Sequence, residues 1–211
     1  MPLLKHVLNQ AKKELKKKGR IREEAQADMR LVTSLSKQAI LQIHQKKMQK
    51  AKKLIQEASE IIKKLQAISN THPELIYGGS YSAAHQEYSE ANILLNLIEK
   101  QEFVAPREIN VSAADYVLGL ADVIGEYRRL TLDYLREGNI EKGEECLQIM
   151  DEIFIELMAL DETLLVSGLR RKNDVARKII EITRGDITQE TRRNALEEHL
   201  KRFERRDEQK E

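Results

Sequence analysis

Apolar and small residues recur at Ile21, Ala25, Met29, Val32, Leu35, Ala39, Ile43, Ala51, Leu54, Ala58, Ile61, Leu65 and Ile68, mostly in steps of three or four. That spacing follows the turn of an α-helix and predicts one very long helix, or two stacked end to end, with a coiled-coil-like seam. Ahead of it, Leu3 to Lys18 reads as a first helix, with Pro2 suited to its opening and Gly19 to its end. His72-Pro73 and Gly78-Gly79-Ser80 interrupt the periodicity. A third helix is expected from Tyr81 to about Glu102. A fourth starts at Ser112, with Asp115 three residues on as in a capping box, and runs to about Glu137, where Gly138-Asn139 stops it. Glu141 to about Asp161, Ser167 to about Arg184 (closed by Gly185) and Ile187 to about Arg206 complete the set. No segment alternates as a strand does. The expected fold is all-α, a single-domain bundle of about seven helices over residues 1–211, opening on a basic amphipathic helix at 1–20 and ending in a polar tail at 207–211.

Composition narrows the function. Nine Gly and three Pro in 211 residues leave too few turn-formers for a many-stranded sandwich or propeller. Aromatic residues make up 4%, with no Trp, which argues against an aromatic-lined carbohydrate or single-strand stacking surface. The one cysteine, Cys146, forms no internal disulfide, cannot build a cysteine zinc cluster and points to a reducing, cytoplasmic setting. No apolar stretch approaches membrane-spanning length, and the first residues lack the apolar core of a secretory signal. No membrane partner is expected.

Charge is segregated along the chain. Residues 1–64 carry a balance of +11, residues 74–162 one of −13 and residues 163–211 one of +3. Such asymmetry suggests a polyanion-facing surface in one part and a use for carboxylates in another, although solvated faces of cancelling sign would give the same counts. The acidic part holds the informative pattern. Glu87 and Glu90, three apart, project from one side of the third helix, and Asp122 and Glu126, four apart, share a face of the fourth. Asp122 stands in the run YVLGLADVIG among apolar residues, with Gly119 and Gly125 three positions to either side. A carboxylate there is expected to be buried or at the floor of a cleft, where leaving it unpaired costs several kcal/mol. Four acids from adjacent helices repel one another, and a divalent cation relieves the repulsion. Hard oxygen donors without His or Cys suit Mg²⁺, or Mn²⁺. The plain structural alternative pairs these acids with Arg128, Arg129 or Lys100 at a helix packing surface.

Other groups are weaker. His85, two residues before Glu87, is close enough in sequence to touch the acids, or to be a hydrogen-bonded bystander. Arg30 and Lys37, seven apart, share a helix face, with Arg20 and Arg22 nearer the start of that helix; together they form a candidate surface for nucleic-acid phosphates. Lys46, Lys47, Lys50, Lys52 and Lys53 surround their helix and read as a solvated face. There is no catalytic triad, P-loop or dinucleotide-binding fingerprint.

The segments QEYSEA (Gln86 to Ala91) and DYVLGLADVIGE (Asp115 to Glu126) resemble the signature helices of the translin superfamily, closest to its translin-associated factor X branch. RLVTSLSK (Arg30 to Lys37) is similar to the long N-terminal helix of that branch, and the likeness covers roughly residues 21–205. It implies a seven-helix fold assembled into a hollow homo-oligomer, typically an octamer. It also implies a Mg²⁺-dependent endoribonuclease, similar to the catalytic subunit of the RISC-activating translin complex. Glu87, Glu90 and Asp122 match that branch's catalytic, metal-holding acids, and Glu126 an adjoining one. The short link at 99–112 departs from the animal proteins and suggests a self-assembling prokaryotic, archaeal version. RNA, single- or double-stranded, is the expected partner, with single-stranded DNA as a further one. The rivals are a non-catalytic RNA- or DNA-binding shell and an all-α nucleoside triphosphate pyrophosphohydrolase, whose second motif is usually Glu-x-x-Asp rather than the Asp-x-x-x-Glu found here.

Overall fold

A computed structural model describes residues 2–160 and 165–208, and among these the chain forms seven helices and no strand. They are α1 (Pro2–His44), α2 (Met48–Thr71), the single turn α3 (Pro73–Ile76), α4 (Gly79–Lys100), α5 (Ala113–Arg136), α6 (Ile140–Met158) and α7 (Leu169–Glu208). The all-α expectation holds. Along the chain two compact units divide within α5, Met1–Gly119 and Leu120–Glu211.

In the first unit α1 packs against α2 and α4. The seam is built from small residues set between larger ones: Ala25, Met29, Val32, Leu35, Ala39 and Ile43 on α1, and Ala51, Ile55, Ala58, Ile62 and Leu65 on α2, are all buried. Ala51, Ala58 and Leu65 lie in the α2 stripe as expected, but the larger residues between them are Ile55 and Ile62, with Leu54 and Ile61 half-buried beside them. Helix α4 is buried almost all round from Tyr88 to Leu97, as a helix enclosed by neighbours must be. Two of its buried polar residues bond inside the helix. Ser89 donates to the His85 carbonyl at 2.7 Å, and Asn92 to that of Tyr88 at 2.7 Å. Each Leu or Ile so enclosed contributes roughly 1.5–3 kcal/mol.

In the second unit the rest of α5 lies with α6 and α7. Cys146, Met150, Ile153 and Leu157 on α6 and Ala176, Ile180 and Ile187 on α7 are buried. Arg128 on α5 donates to Thr183 at 2.8 Å and Asp186 at 3.0 Å, while Arg184 grips both oxygens of Asp151 at 2.9 and 2.8 Å.

Three boundaries differ from those expected. Gly19 does not end a helix: α1 runs through it for 43 residues. Gly185 likewise lies inside α7, so the expected sixth and seventh helices are one. A lone interior Gly costs about 1 kcal/mol relative to Ala, less than good helix formers on both sides recover. The true break is at Gln45–Lys47. Lys46 adopts a left-handed backbone (φ 59), its N–H reaching the Ile43 carbonyl at 2.8 Å while that of Lys47 reaches Gln42 at 2.9 Å. That is a Schellman stop made without glycine, which is why the sequence hid it. The fifth expected helix closes at Met158; its expected end, Asp161, lies outside the described residues, as do 209–211 of the expected polar tail. Elsewhere the signals held. Ser112 accepts from the Asp115 N–H at 3.0 Å and donates to its carboxylate at 2.8 Å, Gly138 turns left-handed (φ 76), and Asn139 caps α6 by accepting from the Lys142 N–H at 3.1 Å.

Candidate functional site

Glu87 and Glu90 lie one turn apart on α4, as their spacing requires. Glu90 is buried at 8% exposure; Glu87 is half-buried and sits 3.2 Å from Lys37 on α1. Lys37 was expected on RNA phosphates, yet here its ammonium faces the acid. With its side chain 63% exposed, it remains on the surface beside Glu87 rather than sealed under it. Arg20, Arg22 and Arg30 are exposed on the same helix.

Gly119 explains why α4 and the start of α5 come so close. A methyl group there would lie 2.7 Å from the Gln86 carbonyl oxygen, 2.7 Å from Cβ of Ser89 and 3.0 Å from the Glu90 nitrogen. Only glycine lets the α5 backbone rest against the very turn that carries Glu87 and Glu90. Gly125, on the other side of Asp122, meets nothing within 4 Å.

Asp122 and Glu126 lie in the second unit, one turn apart on α5. Asp122 is not buried. Its side chain is 38% exposed and pairs with Lys172 of α7. The apolar neighbours mislead because a helix distributes them round its circumference: Ala121, Val123 and Ile124 are buried, whereas 122, 125, 126 and 129 make up the polar stripe. Lysines, rather than the Arg128, Arg129 or Lys100 of the structural alternative, neutralise Glu87 and Asp122. Lys172, in the polar run RRKND, carried no periodic signal in the sequence.

Oxygen donors of this kind suit a hard cation, but the arrangement is not a ready-made metal centre. Among the described residues no three His, Cys, Asp or Glu side chains group closely enough to hold an ion, and two of the four acids are engaged by lysines.

His85 belongs elsewhere. Its ring is buried, its Nδ1 lies 2.9 Å from the Tyr81 carbonyl, and the charge that it feels is that of Asp115. Burial pushes its imidazole below the usual range, against the opposing pull of that carbonyl and of Asp115.

The Translin family model matches residues 20–182, a span that holds all four acids together with Arg20, Arg22, Arg30, Lys37 and Lys172. The chain belongs to the Translin family. An uncharacterized protein of Methanocaldococcus jannaschii is 35% identical to it over 190 residues, 89% of this chain and 84% of that one. Among solved structures, AfC3PO, also captured in complex with duplex RNA, is 33% identical, with a TM-score of 0.76 over 87% of this chain and 96% of its own. NeC3PO without ligand, at 24% identity and a TM-score of 0.79 over the same shares, has the same fold. The translin likeness read from QEYSEA and DYVLGLADVIGE is thereby established, and the two helices that carry it are α4 and α5.

Proposed function

We propose that this Translin-family chain binds RNA and cleaves it in a Mg²⁺-dependent manner (Mn²⁺ serving in its place), as a homo-oligomer. The observation that carries the RNA part is the likeness, over most of both chains, to AfC3PO in its complex with duplex RNA. The exposed Arg20, Arg22 and Arg30 of α1, in the first third of the chain with its balance of +11, supply a surface of the right sign. Glu87 and Glu90 on α4 and Asp122 and Glu126 on α5 are the acids assigned to the cation. In this reading Lys37 and Lys172 balance two of them until a cation and a phosphate replace that pairing. An octamer as the assembled form, and single-stranded DNA as a further ligand, belong to the same proposal.

Cleavage of labelled RNA is the test, with Mg²⁺ and with EDTA, for the native chain and for Glu87→Ala, Asp122→Ala and the double variant. Cleavage in Mg²⁺ that EDTA stops, and that falls at least a hundredfold in the double variant, is expected. Undiminished cleavage by a pure double variant refutes the site. Salt-sensitive binding without turnover favours the second reading, a non-catalytic RNA-binding protein, to which the two lysine–carboxylate pairs lend weight.

A further inference from the structure

A cleft of about 770 Å³ lies entirely within the first unit, where the end of α2, the link before α4 and the loop leading into α5 meet. None of the four acids assigned above lines it. Its wall carries rings in series: Tyr77 meets Tyr81 edge-on with centroids 5.5 Å apart, and Tyr81 meets His85 at 4.1 Å. Tyr77 is 67% exposed, in a chain with only six Tyr and three Phe. An exposed tyrosine at the rim of a polar cleft offers a ring for a flat ligand to stack on.

The two ends of the cleft differ in chemistry. Towards the surface are Arg107 and Gly78, which precedes α4. The first turn of α4 has no acidic residue and no side-chain cap, so its amide groups keep their preference for an anion. Further in, Asp115 is buried with its carboxylate held by the hydroxyls of Ser82 and Ser112. Beside it His85, 2% exposed, directs its Nδ1 to a carbonyl, so the ring proton is on Nδ1 and Nε2 is an acceptor. That buried Nε2 has no hydrogen-bond partner. An orphaned acceptor beside a carboxylate calls for an N–H donor, and leaving it unmet is costly.

We propose that this cleft binds a nucleoside monophosphate unit, with its base against Tyr77 and Tyr81 and its phosphate at Arg107 and the amino end of α4; a base N–H reaches His85 Nε2, which is closed to solvent, once the Tyr81 or His85 ring turns aside. The unit is either a free nucleotide or the terminal nucleotide of a strand; both present the same ring, donors and phosphate. The site requires no cation and is separate from the carboxylates, so it stands or falls apart from RNA cleavage.

Equilibrium dialysis of the full chain in EDTA tests it, with AMP, CMP, GMP and UMP, inorganic phosphate, and a 5′-phosphorylated pentanucleotide as probes. At least one mononucleotide should bind. Tyr77→Ala and Arg107→Ala, both at exposed positions, should each weaken it about tenfold, in line with the worth of one stacked base or one charge-assisted contact. Unchanged thermal unfolding of both variants shows that the fold is intact. Tighter binding of the pentanucleotide identifies a strand terminus as the source, and equal binding a free nucleotide. The proposal is overturned if no mononucleotide binds at millimolar concentration, if phosphate alone binds as well as the best nucleotide, or if both variants keep full affinity.

Discussion

Gly119 and Gly125 sit six residues apart on one helix and look alike in the sequence, but their surroundings make opposite demands. A side chain at 119 enters the α4 backbone, so Gly119→Ala should cost about 1–3 kcal/mol in urea unfolding, the usual range for overpacking. At 125 there is open space, and Gly125→Ala should be neutral or stabilise by up to about 1 kcal/mol through helix propensity alone. His85 makes a second residue-scale prediction. Because its folded pKa is lowered by burial, the unfolded chain takes up this proton first, near pH 6.5. Its contribution to stability is whole above that pH and is lost as the pH falls below it. The urea midpoint should therefore drop between about pH 7.5 and 5.5, and by less in His85→Gln. The chemistry of the acids was legible at this scale, since Glu87 and Glu90 share a face as spacing demands. The lysines that engage them were not, because nothing local ties Lys37 to Glu87 fifty positions away.

At the scale of elements, helices were legible wherever a stretch carried its own period, and ends were legible wherever a dedicated residue marked them. Ser112 and Gly138-Asn139 are such marks. Lys46 and Gln101 are not, although both hold a left-handed backbone at a helix end (φ 59 and 58) that glycine adopts at less cost. Gln101→Gly should accordingly stabilise the chain by about 0.5–1 kcal/mol, and Gly138→Ala should destabilise it by about 1–2 kcal/mol; paired denaturation curves check both. Gly19 and Gly185 show the converse. A residue that can end a helix does so only where the following chain has somewhere else to pack.

For the whole molecule, near-neutral net charge conceals a basic first third and an acidic middle. If the basic part contacts RNA through about three phosphates, affinity should fall roughly 40-fold between about 50 and 200 mM salt, and each arginine removed from Arg20, Arg22 and Arg30 should lower the slope of log affinity against log salt by about one. Filter binding across a salt series measures this, and a flat series removes α1 as the contact.

The chain's own order of residues determined that it would be helical, where most helices would lie, which family it belongs to and which carboxylates share a face. All of these depend on periods of three to four residues or on contiguous motifs. Tertiary structure alone decided that Asp122 is half-exposed, that lysines from other helices meet two of the acids, and that Tyr77, His85, Arg107 and Asp115 line one cleft. Burial and pairing are set by what other helices present at a given point, and residues far apart in sequence carry no local trace of that meeting.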